Sequence, residues 1–173
     1  NIAWLSQNEV FGPAMATKLL ASQDAESYLR SAIAFANAEL FGTLGANIVI
    51  HPKTIREIGK KRFEAIISEL RYGTIAINTW TGVAFLATTC PWGGYPNSTL
   101  ADVGSGIGNV HNTYMLEETE RTVIRAPWRP FPRGLLSGQM TLLPKPPWFI
   151  TNKQQHHVGK LLTRFQYKPS FLK

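Results

Sequence analysis

Cysteine is nearly missing from this 173-residue chain, where Cys90 stands alone. One thiol excludes an intrachain disulfide and fits a reducing compartment, so the expected location is cytoplasmic. Metal centres of the Cys/His type need clustered ligands. The four histidines are His51, His111, His156 and His157, and only the last two adjoin. Adjacent side chains on a helix point about 100° apart, so no metal site is expected. Apolar runs of the roughly 20 residues that a membrane span needs are also missing. The opening Asn-Ile-Ala-Trp has no basic stretch ahead of an apolar one. It reads as the middle of a longer chain and not as a signal peptide.

Acid is missing from the last third. Residues 1–120 hold all 11 acidic residues and 8 of the 18 basic ones, net −3, whereas residues 121–173 hold 10 basic residues and no acid. Such a tail can be a footprint for nucleic acid or an anionic membrane. It can also be an arm that lies on an acidic surface of its own protein. The third reading is expected, with no membrane partner and no nucleic-acid partner.

What is present is an ordinary globular composition, 44% apolar and 17% charged, with length enough for one domain with a core. Residues 14–20 are short and apolar and predict a strand. Ser22 or Asp24 caps a helix running to about Phe41, with Tyr28, Leu29, Ala32, Ile33, Ala36 and Leu40 on one stripe. Residues 46–50 form a β-branched apolar run, as in a strand covered on both faces. His51-Pro52 opens a second helix whose buried face is Ile55, Ile58, Phe63, Ile66, Ile67 and Leu70. Lys60, Lys61 and Arg62 make its solvated side. Residues 74–77 are the next buried strand. The alternation predicts an α/β fold with a parallel βαβ sheet. Residues 79–113 are rich in Gly, Thr, Pro and Trp, a long loop region of the kind that is usually functional. Residues 116–126 predict a half-exposed strand. Six prolines between Pro127 and Pro147 predict an extended stretch, and Thr151 caps a last helix over about 152–165.

Asn8-Glu9-Val10-Phe11-Gly12-Pro13 resembles the E-x-F-G-P signature around the cofactor glutamate of the aldehyde dehydrogenase superfamily. Five later segments keep that family's order. Residues 42–50, Gly-Thr-Leu-Gly-Ala-Asn-Ile-Val-Ile, resemble its next strand. Residues 72–78, Tyr-Gly-Thr-Ile-Ala-Ile-Asn, resemble its G-T-V-x-V-N strand. Pro91-Trp92-Gly93-Gly94-Tyr95 resembles P-F-G-G-x. Ser105-Gly106-Ile107-Gly108 resembles S-G-x-G, and Thr122-Val123-Ile124 the closing strand. The resemblance covers about residues 7–126. It divides the chain into the C-terminal portion of a catalytic domain (1–115), an oligomerisation strand (116–126) and a basic Pro-rich extension (127–173).

The resemblance implies an NAD(P)-dependent aldehyde dehydrogenase that oxidises an aldehyde to a carboxylic acid through a thioester, and a homo-oligomer. It leaves NAD versus NADP open. It implies that Glu9 binds the nicotinamide ribose hydroxyls and that Phe11 packs on the nicotinamide ring. A carboxylate can accept two hydrogen bonds from a vicinal diol. The family's nucleophilic cysteine and dinucleotide domain precede E-x-F-G-P, so Cys90 is expected to be inert and the chain to supply no catalytic nucleophile. Asn78, Trp80, Phe85 and Trp92 are expected to line the aldehyde pocket, since parallel-sheet enzymes bind ligands beyond the C-terminal strand ends. The chain departs from the pattern at Trp92, which replaces phenylalanine, at residues 96–103, an insertion, and at Asn109, where a basic residue is usual. The alternatives are a non-catalytic dehydrogenase-like scaffold or assembly module, and a basic nucleic-acid-binding arm.

Overall fold

A computed structural model describes residues 2–96, 98–128 and 149–168. The chain divides into two compact units, residues 1–126 and 127–173. The division falls where the basic Pro-rich extension begins.

Unit 1 is mixed α/β. Helix α1 spans Ile2–Gln7 and α2 spans Ala25–Glu39. Asp24 starts α2 with a reciprocal cap. Its carboxylate accepts from the Ser27 backbone N–H at 2.7 Å, and the Ser27 hydroxyl accepts from the Asp24 N–H at 3.0 Å. Two orphan donors of the first turn are thereby satisfied. Strand β1 is Gly45–Ile48, followed by α3 (Pro52–Ile58), α4 (Lys60–Ser68) and β2 (Thr74–Ile77). A short helix α5 (Gly82–Leu86) and a small ribbon of β3 (Trp92–Gly93) and β4 (Asn109–His111) occupy the loop region, and β5 (Thr122–Arg125) closes the unit.

The main sheet is parallel, in the order β1-β2-β5, with Ile48 opposite Ile77 and Ile77 opposite Arg125. Successive side chains alternate faces. Ile75 and Ile77 therefore meet Leu29 and Ile33 of α2, Ile58 of α3, and Phe63, Ile66 and Ile67 of α4 in one core. The other face is covered by the loop region. Thr81 sits against Gly45 and donates its N–H to the Asn47 side chain at 3.0 Å. Thr122 donates its hydroxyl to the Pro91 carbonyl at 2.7 Å. With both faces covered, all four residues of β2 are buried.

Four local expectations are corrected. Residues 10–20 belong to neither sheet, and Met15 and Leu19 are 86% and 95% exposed. An apolar run sets which face a strand would show, but the partner edge is a long-range matter. The helix expected after Pro52 breaks at Gly59, whose φ of 91° lies where glycine alone is comfortable. There the Arg62 side chain satisfies the Ile58 carbonyl at 2.7 Å. The strand expected over 116–126 shortens to β5, because Met115 and Glu118 take left-handed turns. The Asn112 amide brackets Leu116 at the first of them.

In unit 2, helix α6 is Gln155–Tyr167. It starts three residues later than expected and is not capped by Thr151. Buried Asn152 instead accepts the Gln154 N–H at 2.8 Å, which fixes the turn ahead of the helix. Most of the proline-rich stretch, with Phe131 and Trp148, lies outside the described residues.

Candidate functional site

Thr43 is the centre of a convergence at the N-terminal ends of β1 and β2. Its N–H donates to the Ser105 hydroxyl at 2.7 Å. Its carbonyl accepts from Gly73 at 2.8 Å and from Tyr95 at 3.3 Å. The Tyr95 N–H also reaches the Thr43 hydroxyl at 3.2 Å. Backbone packs on backbone here. A Cβ on Gly73 would lie 1.9 Å from the Gly93 carbonyl oxygen, and one on Gly94 would lie 3.0 Å from the Ser105 Cβ. Gly106, with φ of 105°, makes the turn that returns Ser105 to Thr43.

Beside this convergence lies an open groove of about 470 Å³. Ser6, Asn8 and Glu9 form one wall; Phe41, Gly42, Gly104 and Ser105 are among the residues of the other. The Glu9 carboxylate is exposed and spends no acceptor capacity among the described residues. Phe11, two residues on, is 93% exposed. A carboxylate with free lone pairs on a groove wall can accept hydrogen bonds from a ligand's donors, and Phe11 is not among the residues lining the groove.

The pocket residues are placed differently. Asn78 ends β2 at φ 57° and spends its amide on Ile50, accepting the N–H at 2.8 Å and donating to the carbonyl at 2.9 Å. It braces the ends of β1 and β2. Trp80 stacks over Gly82, so closely that a Cβ there would meet the indole at 2.3 Å. Phe85 and Trp92 come together edge to face, with centroids 5.4 Å apart. The expectation that these aromatics sit beyond the C-terminal strand ends is corrected for Trp92. Thr122 binds Pro91, and Gly73 touches Gly93, at the opposite ends of β5 and β2. Four strand residues span only about 13 Å, and the loop after Asn78 is long enough to recross them. Trp80, Phe85 and Trp92 are not among the residues lining the Glu9 groove. The convergence joins the two parts, running from Ser105 through Gly94 and Gly93 to Trp92.

Cys90 is half-buried, its N–H bonded to the Ala87 carbonyl at 2.8 Å. Two features escaped sequence reasoning. His111 pairs with Trp92 across β3–β4 and lies 5.7 Å from the Phe85 ring. Its Nε2 is buried without a hydrogen bond. Tyr95, Glu120 and Arg121 form a clamp. The Tyr95 hydroxyl donates to Glu120 at 2.6 Å, and Arg121 binds Glu120. Arg121 also caps the end of α4 through the Ser68 and Leu70 carbonyls, at 2.6 and 2.7 Å. The bond to the Tyr95 hydroxyl, aided by Arg121, lowers the Glu120 pKa, and the same bond raises that of Tyr95. No local pattern signals the first feature, because a single histidine in a loop carries none. Nothing local signals the second, whose members are joined by tertiary packing.

No family model, curated protein or solved structure matches the chain.

Proposed function

We propose that the chain is the C-terminal portion of the catalytic domain of an NAD(P)-dependent aldehyde dehydrogenase. One observation carries this reading. The segments that resemble that family are scattered over residues 9–122, yet four of them meet at Thr43, and the E-x-F-G-P segment lines the adjoining groove. Residues 42–50 and 72–78 adjoin because their strands pair, and the return of Tyr95 and Ser105 to Thr43 is what supports the reading.

In this reading Glu9 holds the nicotinamide ribose hydroxyls and Phe11 packs on the ring. A nicotinamide held there would supply the hydride acceptor that the oxidation needs. Glu9 and Phe11 contribute orientation, which can change rates by orders of magnitude. Phe85 and Trp92 form an apolar pair outside the groove and, in this reading, border the aldehyde's approach to it. Asn78 positions the loop that carries them. Cys90 attacks nothing, because the family's nucleophile precedes E-x-F-G-P, and the isolated chain oxidises no aldehyde. Homo-oligomer formation belongs to the same reading. Among the described residues strand β5 has one neighbour in its sheet, which leaves its second edge for a partner.

The test is a crystal structure of the complete enzyme with its cofactor. The Glu9 carboxylate is expected within hydrogen-bond reach of the nicotinamide ribose. A Glu9 side chain pointing into bulk solvent, with the ribose held elsewhere, refutes the assignment.

A further inference from the structure

Helix α6 has two unlike faces. Val158, Leu161, Leu162 and Phe165 recur at helical spacing and fall within an arc of about 100°. The opposite arc carries His156, His157, Lys160 and Arg164. No residue of α6 is buried: Leu161 is 45% exposed, Leu162 47% and Phe165 38%. Just ahead of the helix, Phe149 and Ile150 are 46% and 92% exposed. The sequence around it, residues 121–173, holds no acid at all.

We propose that α6 is an interfacial helix that seats this chain on an anionic phospholipid surface. A short helix with an apolar stripe, a basic opposite face and modest net hydrophobicity lies in the plane of a bilayer surface. Leu161 and Leu162 enter the acyl boundary. Lys160 and Arg164 extend from the polar face towards phosphates, with Lys153 and Lys168 at the two ends. The occupant is chosen by charge and by the apolar stripe together. Duplex nucleic acid matches the charge but leaves the stripe in water. Of the 11 acidic residues of 1–120, expected from the sequence to receive this arm, six are already engaged within unit 1. Asp24 caps α2, and Glu26, Glu57, Glu64, Glu69 and Glu120 are paired with basic side chains of unit 1. This inference rests on unit 2 alone and stands whether or not the enzyme reading holds.

The test is cosedimentation of the full 173-residue chain with phosphatidylcholine vesicles, with and without about one-third phosphatidylglycerol. Binding to the anionic vesicles is expected to be about tenfold or more tighter than to neutral ones and to weaken as salt screens it. The double variant Leu161→Gln/Leu162→Gln removes apolar burial without changing charge. The variant Lys160→Gln/Arg164→Gln removes charge at exposed positions and keeps the stripe. Each should cut binding about tenfold or more. The second variant carries the test if the first disturbs folding. No binding to anionic vesicles, equal binding to neutral ones, or binding that survives both variants overturns the proposal. So does binding to random duplex DNA that the charge variant abolishes, with no vesicle binding.

Discussion

Gly73 and Thr74 carry the sharpest residue-scale consequences. Gly73 lets β2 begin against the Gly93 backbone, and neither backbone can retreat without parting Thr43 from Tyr95. Gly73→Ala should cost about 3 kcal/mol or more, the upper range for overpacking a tight interior. Urea denaturation reads this, and an unchanged midpoint would show that the contact is not tight. Thr74 is fully buried and its hydroxyl has no hydrogen-bond partner among the described residues. An unpaired buried hydroxyl costs free energy, so Thr74→Val should raise stability by about 1 kcal/mol. A fall in Tm would mean that the hydroxyl has a partner. At this scale Glu9 was singled out because its neighbours form a motif. The orphaned Nε2 of His111 was not, because one histidine in a loop carries no pattern until Phe85 and Trp92 are folded against it.

At the scale of elements, the buried strands were readable and the conditional ones were not. Residues 74–77 announce themselves as a continuous apolar run, and β2 has those bounds. Residues 14–20 have similar composition but form no strand, since a ladder needs a partner that local composition cannot supply. Gly59 sits inside a helical pattern, and whether it is tolerated or breaks the helix depends on how α3 and α4 pack. The start of α2 gives a pH prediction. Hydrogen bonds from Ser27, first its backbone N–H and then its side chain, hold the Asp24 pKa below the ordinary 3.8. A depressed carboxylate stabilises the fold above its unfolded pKa and loses that contribution as pH falls through the folded value. The first turn of α2 should therefore fray in acid while its centre persists. The protection factor of the Ser27 amide, its exchange rate divided into the intrinsic rate at each pH, measures this. Asp24→Asn should remove the pH dependence of that protection, and protection insensitive to pH in the unsubstituted chain would contradict the cap.

For the whole molecule, the account separates three tasks: cofactor orientation at the Glu9 groove, assembly at β5 and surface attachment at α6. Assembly is testable apart from the others. Thr122 and Ala126 direct their N–H groups to β2, so the alternating Arg125 N–H faces the free edge. Arg125→Pro removes that donor without losing a bond to β2. The Arg125–Glu64 ion pair that it also removes is exposed, and such pairs contribute little. Sedimentation should show the complete protein as an oligomer that Arg125→Pro dissociates. An oligomer unaffected by the substitution would place the interface elsewhere.

The most direct test of the central claim is the rate of aldehyde-dependent NAD(P) reduction by the complete protein across a panel of aldehydes. The account predicts measurable turnover that falls about tenfold or more in Glu9→Gln, an orientation effect. It also predicts turnover that persists in Cys90→Ala. No turnover, full activity in Glu9→Gln, or activity abolished by Cys90→Ala would contradict it.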